Sequence, residues 1–266
     1  MNLPSKRFTI CLCQLFVLSA CTTVSREQIS PTDDPNGFPI TRTPDAKNVI
    51  LFIGDGMGVS TVTATRILDG QKKGLTGEEN VLSFERFPHL ALSKTYTVDR
   101  QVGSSAATAT AIMSGVKTNS GLIGVNPGAR RDDCASSKGN HQQSILEYAE
   151  TIGLSTGIVT TTRLTHATPA SAYAHSANRN WENDQALHDE ARTNGCKDIA
   201  SQLLDFSYGD GIEVALGGGR ANFLPDDTYD PEGSGNINSR ADGRNLVQEW
   251  LNKYPNSAYV WNQAQF

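Results

Sequence analysis

Within the stretch VGSSAATATAIMSGVKTNSGLIG, residues 102–124, two adjacent serines lead a run of small residues that shows no apolar period. Ser105, with Ser104 before it, is either a nucleophile or part of a helix cap, and no His or Asp nearby in sequence stands ready as its base. A second candidate is Asp55, set between glycines in Gly54-Asp-Gly-Met-Gly58. Glycines let the backbone turn tightly and let a bulky ligand approach closely. Asp184 and His188 have the i, i+4 spacing that puts two ligands on one helix face, although an exposed helix face gives the same spacing. The histidines are His89, His141, His166, His175 and His188.

The elements that must position these groups follow from patterning. Asn48–Ile53 is a continuous apolar run of β-branched and aromatic residues, the pattern of a strand buried on both faces. A carboxylate at the C-terminal end of such a strand lies where open α/β sheets keep their sites. Ser60 or Thr61 then caps a helix through Thr63–Leu68. Residues 143–152 read as a helix, 157–161 as a second buried strand, 199–204 as a helix and 211–216 as a third strand, which ends in Gly217-Gly-Gly-Arg220. Strands alternating with helices predict an α/β fold with a mostly parallel central sheet flanked by helices.

Composition sets the outer bounds. The 266-residue chain is 38% hydrophobic and 19% charged, as soluble globular proteins are. Its net charge of -5 argues against a nucleic-acid partner. Lys6 and Arg7 precede an apolar stretch, 8–18, that is too short to span a bilayer and reads as an export signal. Leu18-Ser-Ala-Cys21 resembles a bacterial lipobox, which implies cleavage before Cys21, lipidation of its thiol and a membrane anchor. Thr22 lacks the aspartate that retains lipoproteins at the inner membrane, so the periplasmic side of the outer membrane is expected. Residues 22–45 read as a flexible tether. Once the signal is removed and Cys21 lipidated, Cys134 and Cys196 remain, either as one disulfide or as two free thiols.

IGDGMG, SSAATATAIMSGVKTNSGLIGV, TTTRLTHATPASAYAHSANRNWEN, NGCKDIASQLL, LGGGR and DGRNLVQEW together resemble the alkaline phosphatase family in order and spacing, with THATP and NRNWEN closer to animal-type sequences. The resemblance implies a metal-dependent phosphomonoester hydrolase with zinc and magnesium, in which Ser105 forms a phosphoserine. Zinc would stabilise the serine alkoxide, which removes the need for a nearby base. Asp55 aligns with the carboxylate shared between the second zinc and the magnesium, and Thr168 with a magnesium ligand. His166 aligns with a position beside the magnesium, supporting rather than ligating it. Arg179 aligns with the arginine that clamps two phosphate oxygens, a contact that suits a planar guanidinium. Cys134 and Cys196 fall where animal-type relatives form a disulfide, and Glu232, in Asp230-Pro-Glu, falls at a calcium ligand. The family also implies a homodimer.

Two departures matter. Ser104 stands where the family has an aspartate beside the nucleophile, which predicts a more positive pocket and a less rigidly oriented Arg179. The family's remaining zinc ligands and its magnesium glutamate belong to a C-terminal half, whereas this sequence stops at Phe266, so the isolated chain is expected to be an inactive fragment. The competing readings are a lipid-anchored phosphate- or metal-binding protein without catalysis, and a relative in the wider phosphatase, sulfatase and phosphodiesterase superfamily.

Overall fold

The computed structural model describes residues 46–230, 232 and 240–266. The export signal, the lipidated Cys21 and the tether lie outside the described residues. The chain divides into a unit ending at Ile53 and a unit running from Gly54 to Phe266.

In the second unit, helix α1 (Val59–Lys72) is followed by a 3-10 turn at Ser83–Arg86 and by α2 (Ser105–Ser114). Short helices α3 (Cys134–Ser137) and α4 (Ile145–Thr151) precede strand β1 (Gly157–Arg163). Helices α5 (Ala167–Ala170), α6 (Asp189–Thr193) and α7 (Ile199–Leu204) lead to β2 (Val214–Gly218) and α8 (Leu246–Lys253). The two strands pair in parallel, Gly157 opposite Val214 and Val159 opposite Leu216, with a register irregularity before Arg163 meets Gly218. This is the expected α/β arrangement with a parallel sheet.

Hydrophobic burial organises the rest. Ala106 from α2, Leu146 from α4, Ile158 from β1, Ala167 and Ala170 from α5, and Ile199 and Leu203 from α7 form one core with Ile123 and Tyr173. Cys134 and Cys196 form a disulfide with Cα atoms 5.9 Å apart, which joins α3 to the segment after α6. Beside it Ala177, Trp181, Leu187 and Ala191 make a second small core.

Several expectations differ in detail: α1 is capped by Gly58 rather than by Ser60 or Thr61, which lie inside the helix, and β1 leaves Val159 exposed rather than buried. Asn48–Ile53 carries no strand assignment, and Val49 and Phe52 are 80% and 88% exposed. An apolar run becomes a strand only where a neighbouring strand supplies ladder partners, and none of these residues carries a ladder assignment. β2 begins at Val214 rather than residue 211, because Gly211 has φ +102° and donates its N–H to the Tyr208 carbonyl in a turn. Asp184 and His188 do not share a helix face: Asp184 opens a 3-10 turn, whereas His188 caps α6 and stands edge-on to Trp181.

Candidate functional site

Ser105 is the first residue of α2 and Ser104 is its N-cap, with φ −88° and ψ 150°. An N-cap oxygen satisfies helix N–H groups that have no intrahelical partner. The Ser104 hydroxyl accepts from Ala107 N at 3.4 Å and also from Gly121 N at 2.8 Å. It therefore ties the start of α2 to the loop that leaves the helix. Ala106, Ala107, Ala109 and Thr110 are buried, so small side chains let this helix sit deep in the core.

The Gly121–Gly124 loop carries the segment that bears Arg179. Ile123 and Ser176 exchange backbone hydrogen bonds of 3.0 and 2.8 Å, and Arg179 N donates to the Gly121 carbonyl at 2.9 Å. Ser104 thus holds Gly121 through its N–H while Arg179 is held by the carbonyl of the same residue. The Arg179 side chain then turns to the helix start, where Nη1 donates to Ser105 Oγ at 2.8 Å. Two residues separated by 74 positions in sequence meet at hydrogen-bond distance.

Arg179 Nη2 lies 3.0 Å from His166 Nε2. A guanidinium has no acceptor, so Nε2 must accept and the ring proton resides on Nδ1. Burial, and then the Arg179 charge, push the imidazole below its ordinary value, which agrees with a neutral ring. Nδ1 is buried without a hydrogen-bond partner, and the nearest carboxylate oxygen, Asp55 Oδ2, stands 3.7 Å away. The same Asp55 oxygen accepts from Thr168 Oγ1 at 3.0 Å. Asp55, Thr168, His166, Arg179 and Ser105 therefore form one continuous line of side chains.

Arg179 has no direct hydrogen bond to the Ser104 side chain, whose hydroxyl reaches it only through Gly121. His166 and Ser105 take its two terminal nitrogens, and Ser104 acts through the Gly121 backbone.

Glu182 was not among the candidate residues. It accepts from Arg163 Nε and Nη2, both at 2.7 Å, and from Thr165 Oγ1 at 2.6 Å. Burial alone would raise its carboxyl, but these bonds and the Arg163 charge hold it below the ordinary value. The cluster fixes the end of β1 and the start of the His166 loop. Its only sequence signal was its place in NRNWEN. Glu232 lies in a separate cluster with Asp230, where both carboxylates pair with Arg220.

Asp55 and Thr168 offer two adjacent oxygens of the kind magnesium takes. His166 Nδ1 beside them is a buried donor without a hydrogen-bond partner. These residues fit one side of a magnesium site. A zinc site is not complete here, because no group of three His, Cys, Asp or Glu is gathered among the described residues. Calcium at Glu232 meets the same shortage, with Arg220 already supplying the positive charge.

A profile of the alkaline phosphatase family matches residues 46–266. The tissue-nonspecific alkaline phosphatase isozyme of Gallus gallus is 51% identical over 226 residues, covering 83% of this chain and 43% of its own length. A membrane-bound alkaline phosphatase of Bombyx mori is 48% identical over 227 residues, covering 83% and 41%. Among solved structures, a variant of TAB5 alkaline phosphatase with Mg bound in its M3 site superposes with a TM-score of 0.52 at 25% identity. That superposition covers 75% of this chain and 43% of the other. The chain spans less than half the length of these relatives.

Proposed function

Because the chain belongs to the alkaline phosphatase family, we propose that its residues form the nucleophile and phosphate-clamping part of a phosphomonoesterase. The observation that carries this reading is the 2.8 Å contact between Arg179 Nη1 and Ser105 Oγ, made across the fold by two residues of separate family-like motifs. In the proposed reaction Ser105 Oγ attacks the phosphorus of a phosphomonoester. The bond from phosphorus to the ester oxygen breaks, the alcohol departs with a proton, and phosphoserine remains. Water then attacks that phosphorus and returns Ser105 with inorganic phosphate. Arg179 makes charge-assisted bonds to phosphate oxygens in place of its contact with Ser105. His166 holds the second guanidinium nitrogen, so the fork keeps its orientation when the first is engaged.

A divalent cation at Asp55 and Thr168 would place positive charge beside the phosphoryl group and the serine oxygen. No step is assigned to zinc, whose donor set the described residues do not assemble. For this reason the 266-residue chain alone is expected to hydrolyse phosphomonoesters negligibly, while retaining an anion-binding Arg179. The resemblance further supports a homodimer. Export and a lipid anchor on Cys21 remain part of the proposal. They rest on the sequence, and among the described residues no helix is long and apolar enough to cross a membrane.

The test is to incubate the chain with a phosphorus-labelled aryl phosphate, magnesium and zinc, and to quench in acid. Label on Ser105, absent in Ser105→Ala, supports the nucleophile assignment. Label on another residue would refute it, and turnover at the rate of a full-length relative would refute the incomplete-site reading. Phosphate binding without added metal, with no label on Ser105, would favour the non-catalytic binder.

A further inference from the structure

His175 lies on the segment that carries Arg179, and both of its ring nitrogens face atoms that have no proton to give. Nδ1 is 2.7 Å from the carbonyl oxygen of Gly124, and Nε2 is 2.8 Å from Glu147 Oε1. A carbonyl and a carboxylate are both acceptors, so a neutral ring would set a lone pair against one of them. The His175 side chain is 13% exposed and that of Glu147 1%, so water does not readily replace either bond. We infer that His175 is a buried imidazolium that latches the Arg179 segment to the loop leaving the Ser105 helix, and that alkaline deprotonation releases this latch.

The latch closes the end of a short ladder. Ile123 pairs with Ser176, Gly121 accepts from Arg179 N, and Gly124 N donates to Thr110 Oγ1 on α2 at 3.0 Å. Gly124 has φ +60°, and a Cβ there would stand 2.2 Å from the Ala174 carbonyl oxygen and 2.7 Å from His175 Nδ1. The backbone is pressed against the ring so closely that only glycine fits. Glu147 is fixed as well: its second oxygen accepts from Ser144 N at 2.7 Å within the capping box of α4, and Ser144 Oγ donates to the Ala172 carbonyl. The imidazolium therefore joins α2's exit loop, α4 and the Arg179 segment at one point.

The titratable groups that face it are few. His141 stacks on it with ring centroids 4.4 Å apart and planes within 7°. Burial and the His175 charge push His141 below its ordinary value, so the stacked ring is neutral near pH 7. Tyr208, whose hydroxyl is raised by burial and then by the Glu147 charge, is within electrostatic reach of that carboxylate. For His175 burial alone would lower the value, but the Glu147 bond and charge and the Gly124 carbonyl raise it above 6.5. A raised folded value means that the latch is fully present below about pH 6.5 and is lost as pH climbs through the folded value. The consequence for Arg179 rests on the proposed reading of Ser105 and Arg179 as the site; the protonation of the ring does not.

The experiment is nitrogen NMR of the chain labelled at histidine, from pH 5.5 to 10, with amide exchange followed in parallel. Both His175 ring nitrogens are expected to carry protons at pH 7.5, with a midpoint above the ordinary histidine value. The Ile123 and Ser176 amides are expected to lose about tenfold in protection across that midpoint, after correction for intrinsic exchange. In Glu147→Gln the midpoint should fall below the ordinary value; in His141→Phe it should stay above it. A neutral His175 with a proton on Nδ1 alone at pH 7.5, accepting from a protonated Glu147, would overturn the inference. The wild-type titration decides this even if Glu147→Gln fails to fold. Label found on a residue other than Ser105 would count against the proposed function and leave this result standing.

Discussion

Replacing Arg240 by methionine should be among the most damaging single changes available outside the site. Its side chain is 0% exposed and forms a fork to Asp198, with Nη1 to Oδ1 at 3.0 Å and Nη2 to Oδ2 at 3.2 Å. Further bonds reach Asp242, the Ser201 hydroxyl and the Asn222 carbonyl. Asp198 is the N-cap of α7, with its side chain only 4% exposed. Arg240→Met would leave this carboxylate buried with Ser201 as its remaining partner. Asp242 has a 30% exposed side chain and can turn to water, so most of the loss falls on Asp198. Removing one partner of a buried pair costs about 3–5 kcal/mol, and the single trapped carboxylate places this case near the lower figure. For a chain of this size about 3 kcal/mol corresponds to a Tm decrease of roughly 6–12 °C. Urea unfolding should show a lower midpoint with an unchanged slope. Adding Asp198→Asn should recover part of the loss, because the amide oxygen still caps α7 without a charge. A loss below about 1 kcal/mol for Arg240→Met, or a double variant that simply sums the two singles, would show that this network does not hold the fold as argued.

Breaking the Cys134–Cys196 disulfide, which closes a 62-residue separation, should cost about 4 kcal/mol on chain-entropy grounds, read as a shift of the unfolding midpoint with and without reductant. Because the Glu182 carboxyl is held below its ordinary value of 4.5, its contribution is present above that pH and lost as pH falls through the folded value. Glu182→Gln should accordingly flatten the acid limb of the stability profile between pH 5 and 3, as followed by circular dichroism (roughly, from reference carboxyl values). Cys21→Ala should release the protein from the membrane fraction of an exporting host; wild-type protein recovered wholly soluble, without lipid on Cys21, would refute the anchor.

What the sequence made legible depended on how local the cause was. Helix Ile199–Leu204 was read at its observed bounds, since Asp198 caps it and its apolar residues recur at core spacing. The strand at 157 was found because β-branched residues run on without a break from Gly157. The run at 48–53 has the same composition, yet it is exposed, because strand formation depends on neighbours that lie elsewhere in sequence. Ser105, Arg179, Asp55 and Thr168 could be named from motif resemblance, but their contacts could not. That His166 takes one guanidinium nitrogen, and that Ser104 reaches Arg179 only through Gly121, depend on a loop ladder with no periodic signature. Glu147 and His175 were hidden more completely: each looks in sequence like an ordinary surface residue until the chain folds one against the other.

The disulfide has a consequence for the order in which the site comes apart. The covalent ring from Cys134 to Cys196 contains His166, Thr168, Arg179 and Glu182, whereas Ser105 and Asp55 lie outside it. Opening free energy tracks buried apolar contact. The helix that follows Asp55, α1, has Gly70 as its one buried residue, while α2 buries Ala106, Ala107, Ala109 and Thr110. Partial opening should therefore detach Asp55 first and Ser105 later, with the ring-held arginine persisting longest. The carboxylate that would face a cation and the guanidinium that would face an anion thus have separate lifetimes. Cation affinity would report the frailest opening of the chain, and anion affinity its most durable core.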